Sequence, residues 1–139
     1  MRYPALMLLL LMVVSMTSCT QGPRLQPIRG QVFYKGEPVP GALVAFHPLG
    51  PYPTAFPHPI AYTDKEGRFR LTTNKPNDGV ALGEYAVTLE SRERSPTGNE
   101  KIGAKNLLPA HYSKAESSGL RCRVEAGQEE VPAFFLTDP

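Results

Sequence analysis

The sequence predicts an all-β fold, a sandwich of seven short strands, and three observations carry that expectation. Fifteen prolines and twelve glycines in 139 residues punctuate the chain too often for helices. No segment after residue 20 sustains a helical apolar stripe over ten or more residues. Short runs that alternate with period two recur instead, separated by turn residues. At 41% apolar and 20% charged, the composition is that of one ordinary globular domain.

The first twenty residues are of a different kind. Arg2 supplies a positive start, Ala5 to Val14 is an almost pure apolar run, and Ser15-Met16-Thr17-Ser18-Cys19 closes it. The run is too short for a membrane span of about 20 apolar residues and reads as a secretory signal. Cys19 follows Met16-Thr17-Ser18 directly, which resembles the bacterial lipobox, with Met16 standing where Leu is usual. The cysteine of a lipobox is acylated and becomes the first residue of the mature protein. The expected organisation is a signal over 1–18, a lipidated tether over 19–27 and one domain over 28–137. An ordinary secretory signal with an incidental cysteine is the alternative.

Charge narrows the partners. The formal net charge of +2 falls to about +1 once Arg2 leaves with the signal, which argues against nucleic acid or a polybasic membrane contact. The expected membrane contact is the lipid anchor itself. Thr20 stands where an inner-membrane retention signal resembling that of Gram-negative bacteria has Asp, so the outer membrane is the favoured address, with the domain facing periplasm or surface. With Cys19 acylated, Cys122 has no partner left in the chain and the core must hold the domain alone.

Strand one is expected from Ile28, with Ile28, Gly30, Val32 and Tyr34 on one face and Arg29, Gln31 and Phe33 on the other. Ala42 to His47 follows, with Val44 and Phe46 inward and Val39 over the end of the core. Ile60 to Thr73 reads as a β-hairpin. Its turn is Asp64-Lys65-Glu66-Gly67, with Asp opening a type I turn and Gly taking the left-handed position after it, and Phe69 and Leu71 point inward. Glu84 to Glu90, with Tyr85, Val87 and Leu89 inward, then Leu120 to Glu125 and Val131 to Leu136, complete the seven. Five prolines between Pro48 and Pro59 exclude a central strand and leave a loop carrying Tyr52, Phe56 and His58. Ser91 to Lys105 is charged and glycine-bearing, and reads as a mobile loop.

The strings GQVFYKGEPVPGALVAFHP, AYTDKEGRFRLTT and GEYAVTLES together resemble the carboxypeptidase regulatory-like, or transthyretin-like, domain. With the lipobox and the closing LPAHYSKAESSGLRCRVEAGQEEVPAFFL, the chain is similar to small envelope lipoproteins of planctomycete bacteria. The matching residues are Gly30, Gly36, Pro38, Val39, Gly41, Val44 and Phe46, then Thr63, Asp64, Gly67 and Phe69, then Gly83, Tyr85 and Val87. The resemblance implies a seven-stranded Greek-key sandwich of prealbumin type, without catalytic machinery or cofactor. The related hydroxyisourate hydrolases end in Tyr-Arg-Gly-Ser, whereas this chain ends Phe134-Phe135-Leu136-Thr137-Asp138-Pro139, so enzyme activity is not expected.

The remaining chemistry is thin. His47, His58 and His111 lie in no HxH or HxxxH spacing, although His47 and His58 flank the same proline loop and form a weak candidate copper or zinc pair. Asp64 to Gly67 is explained by turn chemistry without calcium. Cys122 lies between two arginines, but alternation places it on the face of Leu120 and Val124, as a buried, inert thiol. No serine stands in a G-x-S-x-G elbow. Two functions from different classes follow: a non-catalytic, lipid-anchored structural or protein-interaction module of the envelope, or a carbohydrate- or metal-binding accessory lipoprotein acting through Tyr52, Phe56 and His58. The envelope protein or glycan it meets is not named by any motif.

Overall fold

The computed structural model describes residues 22–94, 97–99 and 101–139. The signal and Cys19 lie outside them. The described chain is all-β, with ten strands and one 3-10 turn: β1 (Leu25–Gln26), β2 (Arg29–Tyr34), β3 (Glu37–Pro38), β4 (Leu43–Pro48), β5 (Ile60–Tyr62), β6 (Arg68–Arg70), β7 (Val80–Ala81), β8 (Gly83–Glu90), the turn at Ala110–Ser113, β9 (Leu120–Val124) and β10 (Phe134–Leu136). Each of the seven expected stretches contains a strand, and β1, β3 and β7 are two-residue additions.

Two larger sheets enclose the core. One has the order β5-β4-β8-β9, antiparallel throughout. In the other, β2 is central: β10 runs parallel along one edge, while β3 and β6 follow each other along the opposite edge. The chain passes between the sheets at β3 to β4, β5 to β6, β6 to β8 and β9 to β10. Phe46 of β4 meets Phe69 of β6 and Phe134 of β10 edge-on, with ring centroids 6.5 and 6.4 Å apart, so the inner faces of both sheets share one apolar layer. Val32, Val44, Leu71, Val87, Leu89 and Leu136 fill it; the expected inward residues are buried except Tyr34, which is half-buried, and in β8 Ala86 and Thr88 are buried too, so that central strand is covered on both faces.

The expected hairpin at Ile60 to Thr73 is corrected. β5 pairs with β4 and β6 pairs with β2, so the two strands belong to different sheets and the segment is an arch between layers. Its two ends touch, through Asp64 N–H donating to Arg68 O and reciprocal bonds between Ile60 and Thr72. Between those points the strands part. The turn itself is as expected: Gly67 N–H bonds Asp64 O at 3.0 Å, and the Asp64 carboxylate accepts from the N–H groups of Glu66 and Arg68, both at 2.9 Å. Phe69 and Leu71 enter the core, whereas Ile60 and Tyr62 stand exposed and Ala61 and Thr63 turn inward. Small inward residues suit the narrow mouth of an arch, where two backbones converge.

After β8, Arg92 is bridged to Asn106 and Leu107 N–H bonds Ser91 O, so the chain leaving at Ser91 and the chain returning at Leu107 lie side by side. At the N-terminal end, Leu25–Gln26 pairs with Val80–Ala81, and the Gln26 side chain donates to Gln128 O and accepts from Gly127 N–H. Residues expected to act as tether therefore join the folded unit from Leu25 onwards.

Candidate functional site

The proline loop begins where β4 ends, at Pro48, and returns to β5 through Pro59, which is fully buried and accepts a bond from Phe46 N–H. Prolines lack the ladder donor, so the backbone between them is held by side chains and local turns. Phe56 N–H bonds Pro53 O at 3.0 Å, and Tyr52 Oη donates to Pro57 O at 3.0 Å. These bonds curl the loop over the end of the sandwich.

The curl gathers three rings. His58 lies edge-on to His47 and to Tyr52, with centroids 5.8 Å apart in each case. The His47 Nε2 atom shares a 2.9 Å hydrogen bond with Thr88 Oγ1 on β8. Burial, and then the neighbouring His58, lower the pKa of His47, with Glu116 opposing, so the ring is held neutral. Burial, then Asp78, raise that of Tyr52. Tyr52, Phe56 and His47 are half-buried and His58 is exposed.

Chemically, this cluster offers two imidazoles. Among the described residues no group of three or more His, Cys, Asp or Glu side chains stands together, and a closed zinc site takes four ligands. The tip of the Phe56 ring packs against the chain at Gly22, where a Cβ would fall 2.1 Å from its Cζ atom. Tyr52 and Phe56 thus cap the sandwich and its N-terminal segment, and do not project as free stacking platforms.

Cys122 is buried, and burial pushes its thiol up to about 11, while Arg121 and Arg123 face solvent as alternation placed them. Tyr85, at the core end of the loop, is pushed up to about 12 by burial, then by Tyr52 and Cys122, and donates to Ala81 O. Among the described residues, no buried side-chain nitrogen or oxygen is left without a partner.

Two exposed features lie away from the proline loop. Phe135 on β10 is 68% exposed and stacks on Phe33 of β2, with centroids 5.2 Å apart and planes within 9°. A concavity of about 810 Å³ opens at the mouth of the arch, lined by Arg29, Gln31, Tyr62, Arg68, Arg70 and Glu130 among others. Alternation had placed Phe33, Arg29 and Gln31 on the outer face. Their meeting with Phe135 and with Arg68 and Arg70 depends on the pairing of β2 with β10 and β6, which local pattern does not encode.

Comparison with protein-family models, curated proteins and solved structures finds no match to this chain.

Proposed function

We propose that this protein is a non-catalytic, lipid-anchored module of the bacterial cell envelope, built on a transthyretin-like sandwich of the carboxypeptidase regulatory-like class. The observation that carries the anchor is the arrangement of Arg2, the apolar run from Ala5 to Val14 and Cys19 after Met16-Thr17-Ser18. The fold reading draws support from the seven longer strands and their distribution, three around β2 and four around β4 and β8, with connections that repeatedly change sheet. Outer-membrane placement rests on Thr20 after the cysteine.

The non-catalytic reading rests on what the polar side chains do. Thr63, Asp64 and Asp78 spend their hydrogen bonds on turn and loop backbone, and Cys122 is held as a thiol. Function then lies in where the domain is held and what its surface meets.

The convergence of Tyr52, His47 and His58 favours a second reading, a glycan- or metal-binding accessory lipoprotein. Calorimetric titration with envelope glycans and with copper or zinc separates the two: saturable binding lost in Tyr52→Ala or His58→Ala supports the second and sinks the purely structural reading. Metabolic labelling with a fatty-acid precursor tests the anchor. Label on the wild type and none on Cys19→Ala is the expected result.

A further inference from the structure

The anchored reading has a geometric consequence, because very little chain separates the lipid from the folded unit. Cys19 and Gly22 are three residues apart, and an extended chain spans at most about 3.6 Å per residue, so roughly 11 Å is the longest reach available. Gly22 is already packed against the tip of the Phe56 ring, and four residues later Gln26 is tied to Gly127 and Gln128. The point of entry is therefore fixed on the domain, at the end that carries the proline loop.

That end has the surface chemistry of a lipid interface. Leu49 and Leu82 are 47% and 48% exposed, and Leu49 N–H bonds Glu84 O, which brings the two leucine segments side by side. The half-buried rings of Tyr52 and Phe56 back them with amphipathic and aromatic bulk, leaving only part of each ring to the surface. Part of the acidic charge there is engaged, with Glu116 and Glu129 standing exposed at its sides. Glu84 is paired with Arg123 at 3.4 Å, Arg123 also holds Glu125 at 3.2 Å, and the Asp78 carboxylate accepts from the N–H groups of Thr73, Asn74 and Lys75. Arg24 and Lys75 are exposed cations beside the entry point.

We infer that the end of the sandwich formed by the 49–58 loop and Leu82 lies against the membrane that holds the Cys19 lipid, an inference that rests on acylation of Cys19. The occupant of this surface is the lipid bilayer. Leu49 and Leu82 then enter the headgroup region, with the half-buried rings of Tyr52 and Phe56 behind them. β8, eight residues long, sets the opposite end about 23 Å further out, where Ile102, the Asp64 to Gly67 turn and Phe135 face away from the lipid.

The chain contains no tryptophan, so single tryptophans report depth without background. The lipidated full-length protein, carrying Leu49→Trp, Leu82→Trp or Ile102→Trp, is reconstituted into phosphatidylethanolamine–phosphatidylglycerol vesicles containing bromine-labelled acyl chains. All three positions are solvent-exposed, so the exchanges leave the core intact. Fluorescence at positions 49 and 82 should fall severalfold more than at 102. Equal quenching at all three, or none at 49 and 82, in protein whose intact mass carries the diacylglyceryl group, overturns the inference while leaving the anchor in place. A mass without that group overturns the anchor and the inference together.

Discussion

Thr63, just after β5, ties that strand to the 39–42 turn at the mouth of the arch. Its hydroxyl donates to Val39 O at 2.6 Å and accepts from Ala42 N–H at 2.8 Å, while its own N–H and C=O bond Ala42 and Gly41. Thr63→Val keeps the shape and strands a buried donor and acceptor, so urea unfolding should show a loss of about 1–3 kcal/mol. Gly67 is a second such residue. Its φ of +73° lies in the left-handed region, and a Cβ would fall 2.5 Å from Val32 O, which accepts from Val39 N–H just after β3. Gly67→Ala combines backbone strain with a clash against main chain, and a cost of at least about 1–3 kcal/mol is expected in the same measurement. Cys122 offers a kinetic check. With its thiol held up to about 11 by burial, it should react with a thiol reagent at pH 7 only as fast as the domain opens, and rapidly in denaturant. Fast labelling of the native protein would contradict the burial.

At the scale of elements, the arch shows which part of the fold a local pattern encodes. Alternation identified the strands at 60–62 and 68–70 and put Phe69 and Leu71 inward, and Asp64 and Gly67 specified the turn. Which neighbour each strand takes was not legible, because β5 chooses β4 and β6 chooses β2 across longer stretches of chain and two layers of core. A turn that closes a hairpin closes an arch equally well when the two strands diverge beyond it. The 74–79 loop has its own staple in Asp78. Burial acts to raise its pKa, but the N–H groups of Thr73, Lys75 and Asn74 outweigh this and hold the carboxyl below its usual range. A carboxyl depressed in the folded state contributes stability that is complete above its unfolded pKa of about 3.9 and is lost as pH falls through the lower folded value. Thermal melts should therefore show the wild type losing stability more steeply than Asp78→Asn below about pH 4.

Across the whole molecule, the residues behind the proposed address are contiguous in the sequence and those of the contact surface are not. Arg2, the apolar run and Cys19 stand in one contiguous stretch, so a reading along the chain finds them. The gathering of His47, His58 and Tyr52 was half legible, since both histidines flank one proline loop whose curvature only the fold reveals. The stack of Phe33 on Phe135 joins residues 102 positions apart through a parallel pairing, and no local signal announces it. Phe135→Ala should leave the fold intact, because the ring stands on the outer face, and would diminish partner capture from native envelopes if that face is the contact surface. The central claim, that a non-catalytic sandwich is held at the envelope by lipid on Cys19, is tested most directly by the intact mass of the protein extracted from membranes. The account predicts a chain beginning at Cys19 and carrying a diacylglyceryl group, absent in Cys19→Ala. A soluble wild-type product without lipid would contradict it.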